Sequence, residues 1–104
     1  MGEFDFKAGK VILNDFDFVD NLSYAEQIWS FKEDILQVRY NNIYVLDLGW
    51  YPEFDLKNGS FKLVVVKIDD WLNPYFSKRT RSISEVRNYI VEAVAVAETV
   101  SLMR

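Results

Sequence analysis

Most of the usual catalytic toolkit is missing from this chain, and what remains is chiefly acidic and aromatic. The sequence has 16 Asp and Glu and 12 Lys and Arg, but no histidine and no cysteine. That excludes a Ser-His pair, a thiolate nucleophile, an imidazole acid or base, and a zinc site of the usual N/S type. Four groupings are left. Asp15 and Asp17 stand two residues apart, so a strand would project both from one face, where they suit a hard cation such as Mg²⁺. No further ligand cluster lies near them, and a solvated strand face that discourages edge pairing is the simpler use. Asp55-Leu56-Lys57, with Glu53 upstream, has the acidic-x-lysine form found in metal-dependent nucleases. It abuts Asn58-Gly59, and Asp55 facing Lys62 across a hairpin accounts for it more simply. Asp69-Asp70 precedes Trp71-Leu72-Asn73-Pro74, a sequence suited to turn formation more than to chelation. Lys78, Arg79, Arg81 and Arg87 crowd the start of a helix, where positive charge is unfavourable without an acidic neighbour or an anion. An internal partner, with Asp69 and Asp70 nearest in sequence, is preferred to a phosphate site. No aromatics interleave with this run, so base stacking is not expected.

The elements that must position these groups can be read from the pattern. Phe4-Asp5-Phe6 recurs as Phe16-Asp17-Phe18, and both alternate with period two, which predicts a first hairpin turning at Lys7–Lys10. Ser23-Tyr24-Ala25-Glu26 has the form of a capping box. Tyr24, Ile28, Phe31, Ile35 and Val38 follow at helical spacing, with Trp29 and Leu36 widening the stripe, which predicts a helix ending at Asn41-Asn42. Ile43–Leu48 and Phe61–Ile68 read as strands joined at Asn58-Gly59. Pro52 marks a bulge or the frayed end of the first of them. The run Val64-Val65-Val66 reads as a strand covered on both faces. A second capping box, Ser82-Ile83-Ser84-Glu85, opens a helix whose core face is Ile83, Val86, Ile90, Val94 and Ala97. The expected order is β-β-α-β-β-α. The fold class is α+β, with an antiparallel or mixed sheet of about four strands and two helices packed on it, as a single domain over residues 1–104.

Composition narrows the function. The charge is uneven: residues 1–76 hold 13 acids against 7 bases, and residues 77–104 hold 3 against 5, for a net −4. The acidic portion repels nucleic-acid phosphates and attracts a basic partner. The N-terminus lacks the pattern of a signal peptide, and no apolar run approaches the roughly 20 residues of a membrane span. A soluble, cytoplasmic protein is therefore expected, with no membrane or nucleic-acid partner, no cofactor and no metal. With 8 Phe, 6 Tyr and 3 Trp, aromatic side chains are abundant. Trp50, Tyr51, Trp71, Tyr75 and Phe76 are expected to gather beside Asp47, Asp69 and Asp70, at the end of the hairpin away from its turn. They would form either a binding surface or a seal beneath the core.

The tract Gly49-Trp50-Tyr51-Pro52-Glu53-Phe54-Asp55-Leu56-Lys57-Asn58-Gly59-Ser60-Phe61, with the Val-rich strand and Asp69-Asp70-Trp71-Leu72-Asn73-Pro74 after it, resembles the middle of small bacterial immunity proteins. These belong to contact-dependent growth-inhibition and other polymorphic toxin systems. The resemblance spans about residues 43–90. It implies a non-enzymatic inhibitor that binds a cognate toxin domain, often a nuclease with a basic cleft. The expected partner-binding residues are Asp15, Asp17, Glu33, Asp34, Trp50, Asp69, Asp70 and Trp71. Two alternatives stay open: a metal-dependent hydrolase using Asp47, Asp55 and Lys57, and a structural or regulatory homodimer pairing through the Phe4–Phe18 edge.

Overall fold

The computed structural model describes residues 3–103. Five antiparallel strands form one sheet, each paired with its neighbours in sequence: β1 (Lys10–Asn14), β2 (Leu36–Tyr40), β3 (Tyr44–Tyr51), β4 (Ser60–Lys67) and β5 (Phe76–Thr80). A 20-residue helix, α1 (Ile83–Leu102), crosses one face. The α+β class holds, but with five strands in place of four and one α-helix in place of two.

The strands form where apolar residues alternate. Leu36, Val38 and Tyr40 of β2 face the helix, and in the ladder Leu36 pairs with Leu48, and Leu48 with Leu63. Ile83, Val86, Ile90, Ala93, Val94 and Ala97 of α1 close the same core. On the other face Val45, Val64 and Val66 form a second, smaller buried cluster. The three consecutive valines are thus covered on both sides, as their sequence implies. α1 starts where expected, but the capping box is half formed: Ser82 is extended and its Oγ accepts the Glu85 N–H at 3.1 Å, whereas the Glu85 carboxylate accepts from the Thr80 hydroxyl and the Ser82 N–H donates to Thr80 Oγ1 at 3.0 Å.

The predicted helix over 24–38 is not formed. Its capping box exists, with Ser23 Oγ accepting the Glu26 N–H and Glu26 Oε1 accepting the Ser23 N–H. It opens only a short 3-10 helix, Ala25–Ser30, broken by the non-helical backbone of Gln27. The Gln27 amide turns inward and bonds Val19 N–H, Val19 O and Leu22 O. Three tertiary hydrogen bonds to otherwise unpaired loop backbone outweigh local helix propensity. Downstream, Leu36–Tyr40 is extended, and Asn41-Asn42 is a strand-to-strand turn with both residues at positive φ (56° and 55°).

The predicted Phe4–Phe18 hairpin is absent too. β1 pairs with β2, bulges between Val11 and Leu13, and leaves its other edge open. The phenylalanines behave as an aromatic relay into the core: Phe4 on Phe16, Phe16 on Phe18, and Phe18 on Phe31 and Phe61, at centroid distances of 4.8–5.4 Å. Burying Phe6 and Phe18, with Phe4 and Phe16 partly covered, favours wrapping this segment over α1 and the sheet more than pairing it with itself.

Candidate functional site

Between β4 and β5 the chain makes a loop, residues 68–75, that is held by its own hydrogen bonds. The Asp70 N–H donates to Lys67 O at 2.8 Å, and the Trp71 indole N–H to Ile68 O at 3.0 Å. The Asn73 side-chain amide donates to both Asp70 carboxylate oxygens at 3.0 and 3.2 Å, and the Tyr75 N–H returns to Val65 O at 2.8 Å. Asp70 is therefore the turn-former that its sequence context suggested. Asp69 is exposed and makes no side-chain hydrogen bond or ion pair among the described residues. Held by these bonds, the loop presents apolar side chains outward: Leu72 is 92% exposed, Trp71 48% and Tyr75 50%. Tyr75 packs edge-on against Tyr44, centroids 5.7 Å apart. Together with Val100 and Met103 these rings line a cavity of about 190 Å³ at the C-terminal end of α1.

The other expected partner-binding acids lie at the opposite end of the sheet. Ile35 N–H donates to Leu48 O at 3.0 Å and Trp50 N–H to Lys32 O at 2.7 Å. Glu33 and Asp34 are thus excluded from the ladder as a two-residue bulge and project as exposed acids. Gly49 makes room for this, since a Cβ there would sit 1.9 Å from the Glu33 carbonyl oxygen. The Glu33 N–H is held by Glu53 Oε1 at 3.1 Å. Asp15 joins this end through its carboxylate on Lys32 Nζ at 2.7 Å, and Asp17 is exposed nearby in sequence. Asp47, on the sheet face away from α1, feels the bulge. Burial pushes its carboxyl above the usual aspartate range, the Asp34 charge adds to that, and the Gln37 amide and Lys62 oppose it. Burial likewise raises the Tyr51 phenol, with the Asp47, Asp34 and Glu33 charges acting the same way. An aromatic pair completes this end: Trp29, 73% exposed, lies edge-on to the half-buried Phe54 at 5.1 Å. Phe54 holds φ at 61°, a costly conformation for a bulky residue.

The expected residues therefore divide into two groups: Asp69, Asp70 and Trp71 at one end, and Asp15, Asp17, Glu33 and Asp34 at the other. The length of β3, at ~3.3 Å per residue, separates the ends by roughly 23 Å. Trp50 belongs to neither surface. It is fully buried among Phe31, Phe61 and Tyr24, and its indole N–H donates to Asp55 O at 2.9 Å. The single aromatic cluster expected from the sequence does not form. Trp50 is the penultimate residue of β3 and pairs with Phe61, the second of β4, so it lies near the connection between them, with Trp71 at the far end.

The hydrolase grouping is not assembled around Asp55 either. Its carboxylate accepts the Asn58 and Lys57 N–H groups at 2.9 and 3.1 Å, and the Asn58 bond above all holds its pKa below the usual value. Asp55 does not face Lys62, which pairs with Gly49 and Arg79. The 52–59 connection is an eight-residue loop with no positive φ at Asn58 or Gly59, not the tight turn that Asn-Gly suggests. Among the described residues no group of three or more acids is placed to hold a metal.

Two members of the basic run, Arg81 and Arg87, are held internally, but not by Asp69 or Asp70, while Lys78 and Arg79 stay exposed. Arg81 reaches Gly59 O and Leu56 O and lies over the Trp50 ring. Arg87 bonds Glu3 at 3.0 Å, the Asp20 carboxylate, and Phe18 O at 2.8 Å. Sequence reasoning missed Trp29 and Leu72. Trp29 was drawn into a helix stripe that does not exist. Leu72 was legible, because an apolar residue inside an Asp-Asp-x-x-Asn-Pro turn has no core to enter.

Comparison with protein-family models, with curated proteins and with solved structures found no match. No helix among the described residues is long and apolar enough to cross a membrane.

Proposed function

We propose that this chain is a non-enzymatic protein inhibitor, an immunity protein that neutralises a cognate bacterial toxin domain, most readily a nuclease, in the cytoplasm. The observation that carries this reading is the 68–75 loop. It is a self-bonded scaffold that presents Trp71, Leu72 and Tyr75 beside the exposed Asp69. Preordered aromatic and aliphatic anchors lose little conformational entropy on binding and slow dissociation. The surplus of acid over residues 1–76 speeds encounter with a basic surface. The Trp29, Phe54, Glu33 and Asp34 end supplies a second contact for a large toxin domain.

The test combines capture with protection. The tagged protein should retain a basic partner in stoichiometric amount, and co-expression should suppress that partner's toxicity. Trp71→Ala combined with Leu72→Asp, both at exposed positions, should weaken binding by at least about thirtyfold, the scale of one anchor worth ~2 kcal/mol. Protection that survives this double change at full strength overturns the assignment of the loop. A captured protein that is not toxic overturns the immunity reading.

A further inference from the structure

Residues 3–8 cross α1 without filling the space between them. A cavity of about 420 Å³ remains there. Its apolar surface comes from Phe4 and from Ile90, Val91, Val94 and Ala95, positions that share one side of the helix. Ile90 and Val94 are buried and form the floor, whereas Val91 is 64% exposed. The small Ala95 side chain leaves the mouth open. The volume lies within the range of pockets that take small molecules, about 300–1,000 Å³.

The rim is acidic: Glu3, Asp5 and Glu98 against the single Lys7. Lys7 is paired with Asp5 at 3.2 Å, and Glu3 with Arg87 at 3.0 Å. Glu98 accepts only the Ala8 N–H, at 3.2 Å, and no cation lies within ion-pair distance of it among the described residues. Burial, and then the Glu98 and Asp5 charges, push the Tyr40 phenol up to about 12.

We propose that this groove binds a small organic ammonium ion carrying one aryl or branched alkyl group. The apolar body would lie on Ile90, Val94 and Ala95, and the ammonium would face Glu98. An apolar floor under a carboxylate selects this chemistry over both a neutral hydrocarbon and an anion. The Phe4 ring beside the mouth adds a face for the cation. This site is separate from the 68–75 loop and does not depend on the inhibitor reading.

The test is an NMR titration of the full chain with phenethylammonium, using phenylacetate as the probe of opposite charge. Phenethylammonium should give saturable shifts at the Val91 and Val94 methyls, with phenylacetate at least about tenfold weaker. Glu98→Gln should weaken the cation by about fivefold, the scale of one exposed charge contact. Ala95→Trp should fill the groove and abolish the shifts. Non-saturable shifts, equal binding of the two probes, or an unchanged affinity in Glu98→Gln each overturns the proposal. The probe pair and Glu98→Gln decide the matter even if Ala95→Trp fails to fold.

Discussion

Gly49→Ala is the sharpest test of how the acidic end is built. The new Cβ would lie 1.9 Å from the Glu33 carbonyl oxygen, 2.8 Å from its carbonyl carbon and 2.9 Å from Tyr51 Cε2. Backbone must therefore retreat by about 1.5 Å to reach ordinary contact. It is anchored on both sides by the Trp50 N–H to Lys32 O and Ile35 N–H to Leu48 O bonds. Overpacking of this kind costs ~1–3 kcal/mol. Weakening the two anchoring bonds adds ~1 kcal/mol each at most. Alanine restricts the unfolded chain and returns ~0.4–1 kcal/mol. These terms combine to a net loss of at most ~4.6 kcal/mol, centred near ~2 kcal/mol, which lowers the Tm of a domain this size by roughly 8–16 °C. Circular dichroism melts at pH 7 measure it directly. A variant that melts within about 2 °C of the parent, or above it, refutes the packing of the 33–34 bulge against Gly49.

Two further predictions probe electrostatics. Asp47 carries a raised carboxyl pKa, so the folded state holds its proton more tightly than the unfolded chain. Ionised Asp47 then destabilises the fold above the raised value, and the penalty disappears below the ordinary value of 3.8. Asp47→Asn, which keeps an acceptor for the Gln37 amide, should raise the Tm at pH 7, with the gain closing as the pH falls toward 3; melts across that range check it. Arg87→Ala removes the ties to Glu3, Asp20 and Phe18 O. The acids are partly exposed, so most of the expected loss of ~1 kcal/mol comes from the Phe18 carbonyl bond. Hydrogen exchange should accelerate at residues 16–20, and unchanged protection there would refute the clamp.

The parts of the fold that were legible are those set by local chemistry. The Ser82 cap, the helix face from Ile83 to Ala97 and the doubly covered Val64–Val66 run each depend on a few neighbouring residues. The misread segment, Tyr24–Val38, carries two periods at once. Phe31, Ile35 and Val38 fit a helical stripe, while Leu36, Val38 and Tyr40 alternate as a strand. Gln27 decided between them through bonds to Val19 and Leu22 that no local pattern reveals. The candidate site was legible where turn chemistry announced it, at Asp69–Pro74. The Glu33–Asp34 bulge was hidden, since it depends on the missing side chain of Gly49 sixteen positions away in a paired strand.

The sheet order has a consequence for how the chain assembles. β2 to β5 pair only with sequence neighbours, across connections covering residues 41–43, 52–59 and 68–75. Closing such short loops costs little entropy, so these four strands can zip together from local encounters. β1 returns to β2 only after a 21-residue excursion through the Phe16–Phe18 relay and the 3-10 helix. The kinetics therefore favour a meander that forms first, followed by an N-terminal third that wraps onto it. Until that wrap is complete, the floor of the α1 groove and the open edge of β2 both face water.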